Sequence, residues 1–386
     1  MMINMNNFYS RPAWIEVDLN KFRNNIVSIK NRLTPGTEIM SVVKADGYKH
    51  GAIPLVREAV DLGISYFAVA TFSEALILKK EFSNIHILKL GYTPDYLIEE
   101  SIKEDIASTI YTVEQAEKFD KIAKSLNKKA IVHISIDTGM SRIGFIPNED
   151  SLNKILQIFE LENLEIEGIF SHFAAADSDK NFTKEQFVKF KKFTDTLIFN
   201  GCHFKFKHIA NSAAILYTRE YDLDMARPGV IQYGYTDTKE CAQIYGLEPI
   251  LSVKAEISNV KYVENGQSVG YSRKYYTSKK TKVVTLPIGY ADGFPRILSD
   301  RINVLINGIK CPQIGYICMD QLMVDATGVN CEIGDEAVII GKQDREEISV
   351  RDICNLSGDC ETSFITHFDK RLPRLYYKDN KVIEVI

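Results

Sequence analysis

The sequence predicts an α/β protein: a (β/α)8 barrel of the TIM type, followed by an antiparallel β domain. Three observations carry this reading. Between residue 39 and about 230, short and almost wholly apolar runs alternate with amphipathic, charge-bearing segments. Near-continuous apolar strands separated by helical patterns describe a parallel sheet covered on both faces. Eight such units over roughly 200 residues match a closed barrel better than an open doubly wound sheet. Beyond about residue 245 the long helical patterns stop and tight-turn signals take over.

In order, the predicted barrel strands are IMSVV (39–43), YFAVA (66–70), IHILKL (85–90), ASTIY (107–111), AIVHISI (130–136), IEGIF (166–170), FKHIA (206–210) and DMARPGVI (224–231). Thr71 to Glu74, Thr112 to Gln115 and Thr183 to Gln186 have the spacing of helix-opening capping boxes. No GxGxxG follows a strand, which counts against a dinucleotide fold. Past residue 245, KVVTL (282–286) and EAVII (336–340) read as strands, punctuated by Asn265-Gly266, Asn307-Gly308 and Gly334-Asp335. Asn-Gly predicts type I′ hairpin turns, because both residues tolerate positive φ. The expected division is 12–245 for the barrel and 246–386 for the β domain, with residues 1–11 packing on the latter.

Composition narrows the classes of function. The chain has 386 residues, of which 45% are apolar and 25% charged, enough to bury a sizeable core. A net charge of −4 offers no basic footprint for nucleic acid. The N-terminus has no charged start leading into an apolar stretch, and no window has the 18 apolar residues of a membrane span. Seven cysteines, with no CxxC pair and no zinc-finger spacing, fit reduced thiols in a cytoplasmic protein without a structural metal.

In a barrel the site lies where the strands end. Polar residues just past the apolar runs are Lys44 and Tyr48 (first), Asp137 to Arg142 (fifth), His172 (sixth), His208, Asn211 and Ser212 (seventh), and Arg227 with Gly229 (eighth). Each alone has a structural explanation. Lys44 could snorkel to solvent, a strand-end histidine commonly just hydrogen-bonds, and Asn211 with Ser212 could open a helix. Together they converge on one mouth, where the backbone beside Ser212 and Gly229 is suited to a phosphate.

VVKADGYKHG, DTGMSRIGF, SHFAAAD, HIANSAA, ARPGV, VGYSRKY, LPIGYADGF and GYICMDQ, in this order from about residue 12 to 375, resemble the successive motifs of the alanine racemase family of pyridoxal 5'-phosphate (PLP) enzymes. The resemblance implies that Lys44 holds PLP covalently, and that Lys44 and Tyr271 are catalytic bases on opposite faces of the cofactor. It makes Tyr48, His172, His208, Asn211, Ser212, Arg227, Gly229 and Val230 cofactor-binding, with Arg227 facing the pyridine nitrogen. Arg142, Met319 and Asp320 would bind the amino-acid substrate. Tyr290 and Thr362 would line the entrance, and Tyr271 and Met319 would reach the site of a partner subunit in a homodimer. A phenol titrates near 10, so Tyr271 needs cationic neighbours to act as a base; His172 and Arg227 are suited to supply them.

Three departures stand out, one of them Thr362, which falls where the family usually holds an entrance tyrosine. Ser135 replaces a lysine that commonly steadies the arginine of DTGMSR, and Tyr316 stands where an arginine is common. Serine or broader amino-acid racemisation is the alternative within the family. A PLP-binding protein without turnover, or a metal-dependent barrel hydrolase using His133, His172 and His208, lies outside it.

Overall fold

The computed structural model describes residues 11–386. The chain divides into two compact units: Lys21–Gly47 with Ala52–Glu248, and the chain up to Asn20 with Tyr48–Gly51 and Pro249–Ile386.

The first unit is the barrel. The opening strand of the chain, β1 (Ala13–Asp18), is not part of it. Its eight strands are β2 (Glu38–Val42), β3 (Tyr66–Val69), β4 (His86–Lys89), β5 (Ile106–Ile110), β6 (Ala130–Ser135), β7 (Leu164–Phe170), β8 (Phe206–His208) and β9 (Met225–Ala226). Neighbours run β9-β2-β3-β4-β5-β6-β7-β8, all parallel. The ring is completed by single backbone bonds, Asp224 N–H to the Lys207 carbonyl (3.2 Å) and Arg227 N–H to that of Ala210 (3.0 Å). The last strand is shorter than DMARPGVI implied. Pro228 has no N–H to give a ladder, and Val230–Tyr233 coils into a 3-10 turn.

Of the three predicted caps, Thr71 closes a full capping box with Glu74 and Thr112 accepts from Gln115 N–H. Thr183 does neither. Asp179 caps that helix four residues earlier, leaving Thr183 and Gln186 buried inside it (Lys180–Phe199).

Lys89, at the end of β4, is buried, and its ammonium donates to the carbonyls of Gly91 (3.0 Å) and Tyr92 (2.8 Å). Burial pulls it from 10.5 down to about 8. Between those values the unfolded chain binds more protons than the folded one, so this group's contribution to stability rises with pH. Wild type is expected to gain on the order of 2 kcal/mol over Lys89→Met between those two pH values, measured by denaturant unfolding. A flat difference would show that Lys89 titrates as an ordinary lysine.

The second unit is built from sheets. Its strands are β1, β10 (Leu251–Glu256), β11 (Asn259–Val263), β12 (Ser268–Val269), β13 (Tyr275–Tyr276), β14 (Thr281–Leu286), β15 (Asn303–Ile306), β16 (Ile309–Pro312), β17 (Leu322–Asp325), β18 (Glu336–Gln343), β19 (Glu346–Ile348), β20 (Arg374–Lys378) and β21 (Lys381–Val385). The main sheet runs β16-β15-β18-β10-β1-β20-β21, with β19 on β18; β11-β14-β17 and β12-β13 form smaller sheets. All pairs are antiparallel except β1 with β20. The barrel therefore starts later than residue 12, since β1 lies in this sheet.

Asn307 (φ 51°) and Gly308 (φ 71°) turn β15 into β16 as predicted. Asn265-Gly266 does not make the same turn. Only Gly266 has positive φ, and the flanking strands β11 and β12 pair with other partners. The expected packing of residues 1–11 lies outside the described residues up to residue 10; Arg11 pairs with the buried Asp292 of this unit.

Candidate active site

Lys44 opens a turn of reversed hand. Ala45, Asp46, Gly47, Tyr48 and Lys49 all have φ between 53° and 67°. For a residue with a side chain this costs about 1–2 kcal/mol, so the turn needs anchors. The Glu74 carboxylate is one, accepting from the N–H of Ala45 (2.7 Å), Ala70 (2.9 Å) and Thr71 (3.1 Å). Asp46 is another, accepting from Ala52 N–H (2.8 Å), and Gly47 N–H closes onto the Val43 carbonyl (2.8 Å). The Lys44 amine itself makes no hydrogen bond among the described residues. Burial lowers its pKa, Arg142 lowers it further, and Glu74 opposes both.

Arg227 follows β9 and is 3% exposed. One terminal nitrogen meets His208 Nδ1 (2.7 Å); the other meets the carbonyls of Ser171 (2.7 Å) and Ile209 (3.2 Å) and His172 Nδ1 (3.3 Å). Its Nε–H donates to no described residue. Burial and Arg142 bring the guanidinium down to about 9, still a cation at neutral pH.

His172 departs from its expected charge. Burial, then Arg227, Arg142 and Lys44, hold it down to about 3. It is a neutral imidazole here, because it is buried and three cations already share its surroundings, and it does not add the positive charge expected of it.

Arg142 is exposed and has no hydrogen bond or ion pair among the described residues. Its loop is nonetheless ordered by Asp137, which accepts from the N–H of Gly139 (2.9 Å) and Ser141 (3.0 Å). Gly144 (φ 129°) is required there, since a Cβ would lie 2.5 Å from Asp137 N. Gln186 braces this loop and the next, donating to Thr138 (3.2 Å) and the His172 carbonyl (3.2 Å).

Asn211 caps the helix Ser212–Tyr217 by accepting from Ala214 N–H (3.1 Å). Gly229 N–H donates to Ser212 Oγ (2.9 Å), so this amide is not a free donor; it leaves the serine hydroxyl proton and the Val230 N–H available. Tyr48, in the short segment grouped with the β unit, is buried and pushed up to about 12 by that burial, so it stays a phenol.

Tyr271, Met319 and Asp320 all lie in the β unit and line one groove of about 820 Å³. Tyr271 is 66% exposed and Met319 53%. Gly270 (φ 77°), Ser272 (φ 58°) and Arg273 (φ 49°) set the Tyr271 turn. The Met319 N–H has no acceptor among the described residues. Tyr290 N–H and Ala291 N–H bind the carbonyls of Cys318 and Met319 (both 3.0 Å), so the Tyr290 turn is fixed to this groove's wall. Asp320 pairs with Arg371 at 2.6 Å. Thr362 sits in the helix Glu361–Thr366, its carbonyl accepting from Thr366. Tyr316 has a physical account: its ring is flanked by Arg296 (4.3 Å) and Lys274 (4.8 Å), two cations on an aromatic in place of the arginine.

The expected residues therefore fall into two sets: Lys44, Arg142, His172, His208, Asn211, Ser212, Arg227, Gly229 and Val230 in the barrel unit, and Tyr48, Tyr271, Tyr290, Met319, Asp320 and Thr362 in the β unit. The metal reading finds no support in the donor set. His208 and His133 face each other, and His208 and His172 face a guanidinium, which leaves those nitrogens engaged and the site cationic. Sequence reading passed over Glu74 as a helix cap alone and missed Glu167. The signal for Glu167 was a carboxylate within the run IEGIF (166–170), which is otherwise apolar.

The family profiles described as alanine racemase N-terminal domain and C-terminal domain match residues 17–237 and 250–376. The chain belongs to the alanine racemase family. A relative in it, the alanine racemase of Clostridium perfringens, is 41% identical over 379 residues, spanning 97% of this chain and 98% of that one. Among solved structures, the alanine racemase of Clostridium difficile superposes with a TM-score of 0.93 at 37% identity, covering 98% of this chain and 99% of the other. An alanine racemase from Bartonella henselae with covalently bound pyridoxal phosphate gives 0.84 at 29% identity, over 95% and 99%. This alanine racemase family member keeps the barrel and sheet units that the neighbours share.

Proposed function

We propose that the chain is a PLP-dependent amino-acid racemase that interconverts L- and D-alanine and so supplies D-alanine. The observation carrying this is the barrel-mouth donor set: a depressed, unbonded amine at Lys44, with Arg142 and Arg227 as cations around a neutral His172. Glu74, the carboxylate that opposes the lowering at Lys44, is already occupied by three backbone N–H groups. Such a site suits a ligand that brings its own negative charge and an electrophilic carbon.

PLP fits those residues. When bound it supplies the electron sink that makes an amino acid's α-proton removable. Lys44 would hold it covalently, and Arg227 would direct its Nε–H at the ring nitrogen. Ser212 and Val230 would donate to the phosphate; the same role is proposed for Tyr48. An arginine in that position keeps its own proton, so it would leave the ring nitrogen unprotonated and moderate the electron sink. Lys44 moves the α-proton on one face, and Tyr271 on the other. Arg142 and the Met319 N–H hold the substrate carboxylate. We further propose that the exposed Tyr271 groove serves the barrel of a second copy in a homodimer, and that the seven free thiols place the protein in the reducing cytoplasm. No described helix is long and apolar enough to cross a membrane.

Pure protein with PLP is expected to convert L-alanine to a racemic mixture, followed by chiral chromatography, with L-serine and L-lysine as comparisons. D-serine or D-lysine formed in preference would move the substrate assignment; no D-enantiomer from any of them would remove the racemase reading.

A further inference from the structure

A hydrogen-bonded chain connects Arg227, beyond the C-terminal end of β9, to Lys205, just ahead of the N-terminal end of β8. Arg227 meets His208 Nδ1 (2.7 Å), His208 Nε2 meets His133 Nδ1 (2.9 Å), and His133 Nε2 meets Glu167 Oε2 (3.1 Å). Glu167 Oε1 accepts from Lys205 Nζ (3.1 Å), which also reaches the Tyr66 hydroxyl (2.9 Å). Both histidines are fully buried and Glu167 nearly so. The room depends on Gly168: a Cβ there would lie 2.4 Å from His133 Nδ1. Phe170 stacks on the His208 ring with centroids 5.0 Å apart.

The chain has one direction. A guanidinium can only donate, so His208 Nδ1 must accept. Burial, Arg227 and His133 keep His208 well below the usual imidazole range, hence neutral; its single proton is then on Nε2. That proton makes His133 Nδ1 an acceptor and leaves His133 Nε2–H to donate to Glu167. Burial works against an ionised Glu167, but the hydrogen bonds from His133 and Lys205 and the charge of Lys205 outweigh it, and the carboxyl is held below its ordinary range. An ionised carboxylate is an acceptor only.

We infer that Glu167 is a positioning residue for Arg227, acting through His133 and His208 to fix which nitrogen of each ring carries the proton. It thereby keeps an acceptor facing the guanidinium. A glutamine there can present N–H to His133, reverse both rings, and set an N–H of His208 against an N–H of Arg227. The inference rests on the proposed role of Arg227 opposite the ring nitrogen.

The test is a long-range proton–nitrogen correlation spectrum of the full chain labelled with 15N-histidine, recorded without PLP. His133 and His208 are expected as Nε2–H tautomers at about pH 8, where ordinary imidazoles are neutral. Glu167→Gln is expected to reverse them or set them exchanging, and to lower kcat roughly tenfold to a hundredfold with little change in KM. An Nδ1–H proton on either ring of the wild type overturns the inference, as do unchanged tautomers and kcat in E167Q. The wild-type spectrum decides even where E167Q does not fold. Because no cofactor or substrate is present, the tautomer result stands or falls separately from whether the chain racemises alanine.

Discussion

Lys44→Ala is expected to lower alanine racemisation by about four orders of magnitude or more, since one residue supplies both the covalent hold on the cofactor and a proton-transfer group. Borohydride treatment of the wild type with PLP should fix one pyridoxyl group, found by peptide mass on Lys44; the variant should acquire none. The amine is the right one by its surroundings. Lys44 is set by a turn anchored to Glu74 and Asp46, and its pKa is lowered by burial and by Arg142. Lys89 is also buried and depressed, to about 8, but spends its protons on two carbonyls. Stoichiometric labelling of K44A at another lysine would show that the reactive amine had been misassigned.

Tyr271→Phe should cost roughly a hundredfold to ten-thousandfold in racemisation, the range of a positioned general acid–base group. The sharper expectation is an asymmetry. In deuterium oxide the variant should still exchange the α-proton of one enantiomer, through Lys44, while losing exchange of the other. Equal loss for both, or none, would mean the phenol is not a base. The same two variants test the shared site. In a two-fold dimer whose barrel uses the partner's groove, mixing K44A with Y271F regenerates one intact site per mixed dimer, about one quarter of wild-type activity on random exchange. If each chain served itself, every site would carry one defect and mixing would restore nothing. The 66% exposure of Tyr271 within its own chain makes the first outcome the expected one.

Much of the barrel was legible because its strands are mostly buried on both faces and read as short, largely apolar runs. β1 was misassigned for a physical reason. AWIEVD followed by the helix Leu19–Arg32 looks like one more strand-helix unit, and nothing local shows that its partners β10 and β20 lie over two hundred residues away. Thr183 was read as a cap because the spacing to Gln186 is right, but Asp179 holds the Phe182 N–H first. The neutrality of His172 depends first on burial and then on cations from three other strand ends, which no local pattern encodes. Glu167 shares its strand with Glu165 in LEIEGIF; one faces solvent and the other is buried against His133, and a lone charge in a strand ordinarily reads as surface.

The reversed coil after Lys44 also bears on how the molecule fails. Ala45, Asp46, Tyr48 and Lys49 are each held in torsions that an isolated peptide would relax, by a few backbone hydrogen bonds to two carboxylates. Warming would release that spring before the barrel wall melts. The protein is wired to fall silent while still looking folded.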